Sequence, residues 1–173
     1  KGRTDRLLGN IFIEAKPIAG LTLRVNAGLD HANVDRKTYQ PRSTLNGKNL
    51  NGVAYIYNTD NNQYLMEATA TYQRTFADIH SINLLAGTSY EEFNYDASEL
   101  GNNNFITDAF LWNNMDAGTG TKITKSTSTE NKMMSYFFRA GYILKNRYLL
   151  TATLRADGAS VFAKNNKWGY FPS

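Results

Sequence analysis

The chain has 173 residues and no cysteine, enough for one domain but with no disulfide, thiolate nucleophile or cysteine-held metal. It carries 19 Lys and Arg against 15 Asp and Glu, a formal charge of +4 without a basic run, which gives no footing to a nucleic-acid partner. No stretch reaches the roughly 18 apolar residues of a transmembrane helix, yet aromatics make 13% of the chain at a mean hydropathy of −0.48.

Period-2 alternation recurs along the chain and predicts an all-β fold, an antiparallel meander of about six strands. In the first, residues 7–16, Leu7, Gly9, Ile11, Ile13 and Ala15 share one face. Residues 17–20, Pro-Ile-Ala-Gly, predict a tight turn. In the second strand Leu21, Leu23, Val25, Ala27 and Leu29 oppose Thr22, Arg24, Asn26, Gly28 and Asp30. This is the cleanest alternation in the sequence, and it continues less clearly to about residue 39. A polar, Asn-rich stretch over 40–62 follows and is expected to be a long loop. The third strand, 63–76, has an apolar face of Tyr64, Met66, Ala68, Ala70, Tyr72 and Phe76. Arg74 falls on that face near its end, where it can snorkel to an interface. A short link at 77–80 leads to the fourth strand, 81–94, with Ile82, Leu84, Ala86 and Tyr90 on one face and Leu85 and Phe93 against the pattern. A second polar stretch, 95–131, is again expected to be a loop. The fifth strand, 132–144, sets Met134, Tyr136, Phe138, Ala140, Tyr142 and Leu144 against Ser135, Phe137, Arg139 and Gly141. After a turn at 145–147 the sixth, 148–157, sets Leu150, Ala152 and Leu154 against Thr151, Thr153 and Arg155. Asp157-Gly158 is expected to turn that strand into its loop.

Alternation of this kind fits two architectures. A barrel wall in a membrane places aromatics at the interfaces and polar residues in the lumen. A soluble β-sandwich with one wet face, displayed at the surface as a carbohydrate-binding module, gives the same pattern. Connection lengths favour the barrel: they run short, long, short, long, short, as in barrels with short periplasmic turns and long extracellular loops. Charge placement agrees, because Arg24, Glu67, Arg139, Arg155 and Asp157 all lie on polar faces. On a lipid face an Arg at the midplane would cost about 2–4 kcal/mol. Gly28, Gly87 and Gly141 also fall on polar faces, where a missing side chain admits close approach or relieves curvature.

The C-terminal third carries a longer signal. Ser135-Tyr136-Phe137-Phe138-Arg139 is followed by Asn146-Arg147-Tyr148-Leu149-Leu150-Thr151-Ala152-Thr153-Leu154-Arg155-Ala156-Asp157-Gly158, Phe162 and Lys167-Trp168-Gly169-Tyr170-Phe171-Pro172-Ser173. The order resembles the barrel of SusC/RagA-type TonB-dependent transporters, with Ala159 where that family more often has Ser. Leu8-Gly9-Asn10 and the hairpin from Lys16 to Arg24 resemble an earlier part of the same barrel. The resemblance implies that residues 1–173 are a partial wall of a 22-stranded outer-membrane β-barrel, with no plug domain, TonB box or signal peptide among them, and that both ends cut through a longer protein. It implies a nutrient importer of the Bacteroidetes outer membrane, taking up glycan or peptide. Its partners would be outer-membrane lipid, TonB, a SusD-like surface lipoprotein acting as a lid, and an oligosaccharide or peptide substrate.

The residues offer little for catalysis. His31 and His80 are the only histidines, and neither has more than a nearby Asp, so no metal is expected. Glu91 and Glu92 are adjacent and point to opposite faces of a strand, which defeats a paired-carboxylate mechanism. No phosphate loop, dinucleotide fingerprint or nucleophile elbow is present. The chain is therefore read as a non-enzyme with no cofactor. The aromatics Tyr39, Tyr55, Tyr57, Phe105, Phe110 and Trp112 of the two polar stretches either stack on substrate or pack the loops and lid. Tyr55, Tyr57, Phe110 and Trp112 are the chosen candidates for substrate or lid contact.

Overall fold

The structure is a computed structural model and describes residues 1–163 and 167–173. Seven strands form one antiparallel sheet in sequence order: β1 Gly2–Ile18, β2 Leu21–Gln40, β3 Val53–Phe76, β4 His80–Asn103, β5 Ile123–Leu144, β6 Tyr148–Ala159 and β7 Trp168–Pro172. A four-residue helix, α1 Leu45–Lys48, and a single 3-10 turn at Met115–Ala117 interrupt the two longest connections.

The sheet answers the choice between architectures. It is a single layer, so the soluble β-sandwich, which needs two sheets face to face, is set aside. Among the described residues the buried apolar side chains are Val53, Ala54 and Phe105 alone, whereas large side chains of the alternating apolar face stand open, among them Ile13 at 72% and Leu150 at 69% exposure. No single-layer sheet can bury such a face within itself.

Register keeps the two faces apart. Between β5 and β6, Tyr136 pairs with Ala156, Phe138 with Leu154, Ala140 with Ala152 and Tyr142 with Leu150. On the other side Ser135 pairs with Asp157, Phe137 with Arg155 and Arg139 with Thr153. A slip of one residue would exchange the faces. The edge strand β7, beyond the six expected, continues the pattern with Gly158 opposite Trp168 and Ala156 opposite Tyr170.

The short turns follow the sequence closely. Ala77 and Asp78 both have positive φ (48° and 58°), as do Lys145 and Asn146 (52° and 51°). Positive φ at both central residues is the type I′ turn that suits the twist of a hairpin. The first turn is tighter than expected: Pro17 and Ile18 remain in β1, and Ala19-Gly20 carries the corner, with Gly20 at φ 84°.

The long connections are shorter than the expected loops at 40–62 and 95–131. Residues 53–62, 95–103 and 123–131 are strand. The reason lies in their side chains. At the positions that carry apolar residues elsewhere in these strands stand His31, Asn33, Asp60, Asn62, Asp96, Ser98, Ser126 and Ser128. Over 58–62 and 124–131 both faces are polar, so the pattern that marks a half-buried strand is lost while the backbone pairing continues. Likewise, Asp157-Gly158 does not end β6, which runs on to Ala159.

The chain divides into two compact units. One comprises Lys1–Leu7, His31–Asn62 and Asn94–Thr129 and holds both long connections. The other comprises Leu8–Asp30, Gln63–Phe93 and Glu130–Ser173 and holds the three short turns. The apolar face belongs to the second unit, where the segments of β1 to β6 are each long enough for the roughly 9–11 residues that cross a bilayer.

Two glycines of the second unit are filled by aromatic rings. A Cβ at Gly87 would collide with the Phe137 ring, and one at Gly158 would lie 2.9 Å from the Trp168 indole. A Cβ at Gly28 or Gly141 would make only ordinary contacts. The close approach expected at Gly87 is therefore made by a neighbour in the sheet. In the intact barrel, Gly87→Val is expected to cost about 1–3 kcal/mol through overpacking and to lower the folded fraction seen by heat-modifiable migration on a gel. Adding Phe137→Ala should restore it; equal folded fractions for Gly87→Val and the parent would contradict the packing described.

Candidate functional site

The polar face of the first unit carries the most developed aromatic group. Tyr55 and Tyr57 lie two apart on β3, so both rings emerge on the side that bears Glu67 and Thr69 further along the strand. Their centroids are 5.8 Å apart at 22°. A Cβ at Gly101 would lie 2.9 Å from the Tyr55 ring, so Tyr55 lies across the bare backbone of β4. Burial pushes the Tyr57 hydroxyl pKa up, Glu99 and Tyr55 add to this, and Arg36 opposes it. Lys125 Nζ donates to Glu99 Oε2 at 3.3 Å. Thus β2, β3, β4 and β5 contribute Arg36, the tyrosine pair, Glu99 and Lys125 to one patch of stacked rings bordered by both signs of charge.

The other two candidates lie apart from it in sequence, on the second long connection. Phe110 is half exposed, Trp112 is partly covered, and Leu111 between them has φ 52°. Sequence reasoning placed all four aromatics on loops; Tyr55 and Tyr57 are on a strand. The remaining two, Tyr39 and Phe105, pack edge to face with centroids 5.6 Å apart, and Phe105 is buried. For these the packing role is the one observed.

That pair sits within a tie between the two long connections. Tyr39 Oη donates to Asp108 Oδ1 at 2.7 Å, Arg42 Nε donates to the same oxygen at 3.3 Å, and Arg42 Nη1 donates to the Ile106 carbonyl at 3.0 Å. Asn104 N donates to Leu50 O at 2.8 Å and Phe105 N to Asn51 O at 2.9 Å. Buried Asn102 donates to the carbonyls of Met115 and Gly118 at 2.8 and 2.7 Å. The Asn-rich composition of these stretches thus supplies backbone-satisfying amides. Around the tie Leu45, Leu50, Ile106 and Phe110 remain exposed, an apolar cluster on polar loops. Arg42, Asp108, Arg36, Glu99 and Lys125 were not singled out from sequence; strand parity carried into 95–103 and 123–131 would have put Glu99 and Lys125 on the same face as Arg36.

In the second unit the polar face holds a fixed arginine. Arg155 Nε donates to both carboxylate oxygens of Asp157 at 2.8 and 2.9 Å, and its Nη2 donates to Oγ of fully buried Ser135 at 3.1 Å. Nearby, a recess of about 410 Å³ is bordered by Thr71, Asn83, Arg139 and Thr151. No three His, Cys, Asp or Glu gather for a metal among the described residues. His31 Nδ1 lies 2.6 Å from Asn62 Oδ1, and His80 Nδ1 lies 2.6 Å from the Tyr142 hydroxyl.

No family model matches the sequence. Over 167 residues, 94% of the chain, it is 31% identical to TonB-dependent receptor P39 of Formosa agariphila. It is 29% identical over 171 residues to TonB-dependent receptor P3 of the same organism. It is also 29% identical over 181 residues to TonB-dependent receptor SusC of Bacteroides thetaiotaomicron. The chain spans only 16–17% of these receptors. Its fold matches a solved chain described as the RagAB peptide transporter with TM-score 0.89 at 23% identity, covering 99% of this chain and 19% of that one. The siderophore receptor PiuA of Acinetobacter baumannii matches more loosely, with TM-score 0.57 at 12% identity.

The tie has a pH signature. Burial first, then the bond to Asp108, pushes the Tyr39 pKa up to about 12. The Tyr39 hydroxyl, followed by Arg42, holds Asp108 below its ordinary value. For Tyr39 the folded value is raised, so its contribution is complete below pH about 10 and fades as pH rises through 12. For Asp108 the folded value is lowered, so its contribution is complete above pH about 4 and fades as pH falls below that. Protection of the amides in residues 41–52 and 104–122, taken relative to the intrinsic exchange rate at each pH, should therefore be greatest between these limits and fall at either side. Tyr39→Phe should lower it at neutral pH; unchanged protection would refute the tie.

Proposed function

Because this chain belongs to the β-barrel of the SusC/RagA-type TonB-dependent receptors, proteins of the outer membrane of Bacteroidetes, we propose that it forms part of the wall of a TonB-dependent nutrient importer. The observation that carries this is the agreement along the whole chain with a receptor barrel, in both sequence and single-layer fold. The apolar face of the second unit meets lipid, and the polar face lines the lumen. In the parent protein a SusD-like lipoprotein covers the outer mouth, and TonB supplies the energy.

Within that protein the residues have distinct tasks. Tyr55 and Tyr57, bordered by Arg36, Glu99 and Lys125, line the route taken by an oligosaccharide or peptide. Ring faces and edges serve sugar C–H groups or peptide side chains, and the flanking charges and amides serve polar groups. Phe110, with Leu45 and Ile106 near the tie, provides an apolar contact for the lid. Trp112 belongs to the same connection and touches either the lid or the incoming cargo.

In the full receptor, Tyr57→Ala and Trp112→Ala are expected to weaken cargo binding by about tenfold, the ordinary loss for a truncated aromatic anchor, in equilibrium binding to the purified complex. Unchanged affinity in both would remove the route assignment. Phe110→Asp should lower recovery of the lid lipoprotein with the tagged barrel while leaving heat-modifiable migration unchanged. Full recovery would remove the lid assignment.

A further inference from the structure

One edge of the apolar face, beside the short turns, carries a cluster of bases and rings that neither cargo passage nor lid contact uses. Every member lies in the second unit. Arg74, on the apolar face of β3, has its guanidinium carbon 5.0 Å from the centroid of the Phe76 ring. Arg147, in the turn between β5 and β6, lies 5.8 Å from the centroid of Tyr148. His80 and Tyr142, on β4 and β5, stack at 6.0 Å. The two turns are joined directly, since Lys145 N donates to Ile79 O at 2.7 Å. Arg74 and Arg147 have no ion pair among the described residues, and Asp78 is the one carboxylate in these turns. At the other edge of the same face Glu92 and Glu130 flank Lys132. The face is thus basic at one margin and acidic at the other.

An arginine facing lipid costs about 2–4 kcal/mol at the midplane and roughly 0–1 near an interface, which fixes the depth of this margin. A ring beneath the guanidinium covers its face and leaves its N–H edge free. Two arginines with free edges and no internal carboxylate match a phosphate, which a planar fork can bind bidentately. We propose that this margin binds the headgroups of anionic phospholipids, with Arg74 and Arg147 each holding a lipid phosphate and Phe76, Tyr142 and Tyr148 lying at the boundary with the acyl chains. The proposal rests on the membrane placement argued above and is independent of cargo and lid.

The test uses the full receptor in detergent micelles carrying equal phosphatidylglycerol and phosphatidylcholine, with retained lipid measured after gel filtration. Phosphatidylglycerol should be enriched, and each of Arg74→Gln and Arg147→Gln should reduce the enrichment about fivefold, the equivalent of about 1 kcal/mol per basic residue at an anionic surface. Lys132→Gln at the acidic margin should retain it, and the Arg74→Lys/Arg147→Lys double variant, which keeps the charges but loses the planar forks, should fall between the parent and the double Gln variant. Equal retention of both lipids by the parent receptor, or undiminished enrichment in the double Gln variant, would overturn the proposal. If the double Gln variant does not assemble, salt decides: enrichment by the parent receptor must fall between low and high ionic strength, and constancy overturns the proposal. Heat-modifiable migration, read in parallel, reports membrane-barrel assembly separately from lipid preference.

Discussion

Every strand of the second unit finds its hydrogen-bond partners sideways, in the strands beside it, and the sheet has no second layer. No described residue covers its apolar face, and a bilayer is the medium in which ladders with no free internal polar groups are stable. The alternating side chains, the placement of charge and the depth at which arginine is tolerated all follow from that constraint. Register is what protects it. With Phe138 opposite Leu154 and Arg139 opposite Thr153, lipid-facing and lumen-facing residues never mix.

Where lipid ends, the constraint changes, and so do the side chains. In the first unit the same strand positions carry Asn, Asp and Ser, and the long connections are held by amides and by the Tyr39–Asp108–Arg42 tie. Together with the small core of Val53, Ala54 and Phe105, these hold the connections in defined positions while apolar side chains such as Ile106 and Phe110 stay exposed. That is the arrangement a docking lid requires: a contact surface ordered before the partner arrives, so that less entropy is lost on association. The tyrosine pair is held in the same way, one ring across Gly101 and the other beside Glu99.

Much of this was legible in the sequence. Strands with one apolar face were found with their facing correct, because that face must be apolar over its whole depth. The two hairpin turns at 77–79 and 145–147 were found even without glycine, from the polar residues that separate two alternating runs. What escaped was strand with two polar faces. Residues 58–62 and 124–131 satisfy their backbones in the ladder, yet nothing in their hydropathy distinguishes them from loop; Val53-Ala54-Tyr55-Ile56-Tyr57 does carry a strand signal, masked by the Asn-rich stretch around it. The error carried into the candidate site: Tyr55 and Tyr57 were recognised as exposed aromatics, but their neighbours Arg36, Glu99 and Lys125 are joined to them only by pairing across strands. Those partners lie 19 to 70 residues away in sequence. Pro17, taken as part of a turn, proved to be the tail of a strand.

Alternation settles which face a residue occupies but is indifferent to shifts of two. A strand displaced by two positions would keep Tyr136 toward lipid and Arg139 toward the lumen, with little change in hydrophobic energy. The hollow at Gly87 is not indifferent. It admits the Phe137 ring, whereas a two-residue shift would bring that ring against Leu85 or Ser89, where a side chain already stands. A single absent Cβ therefore acts as a vernier mark between β4 and β5, selecting one alignment from a ladder of nearly equivalent ones while the wall is still being assembled.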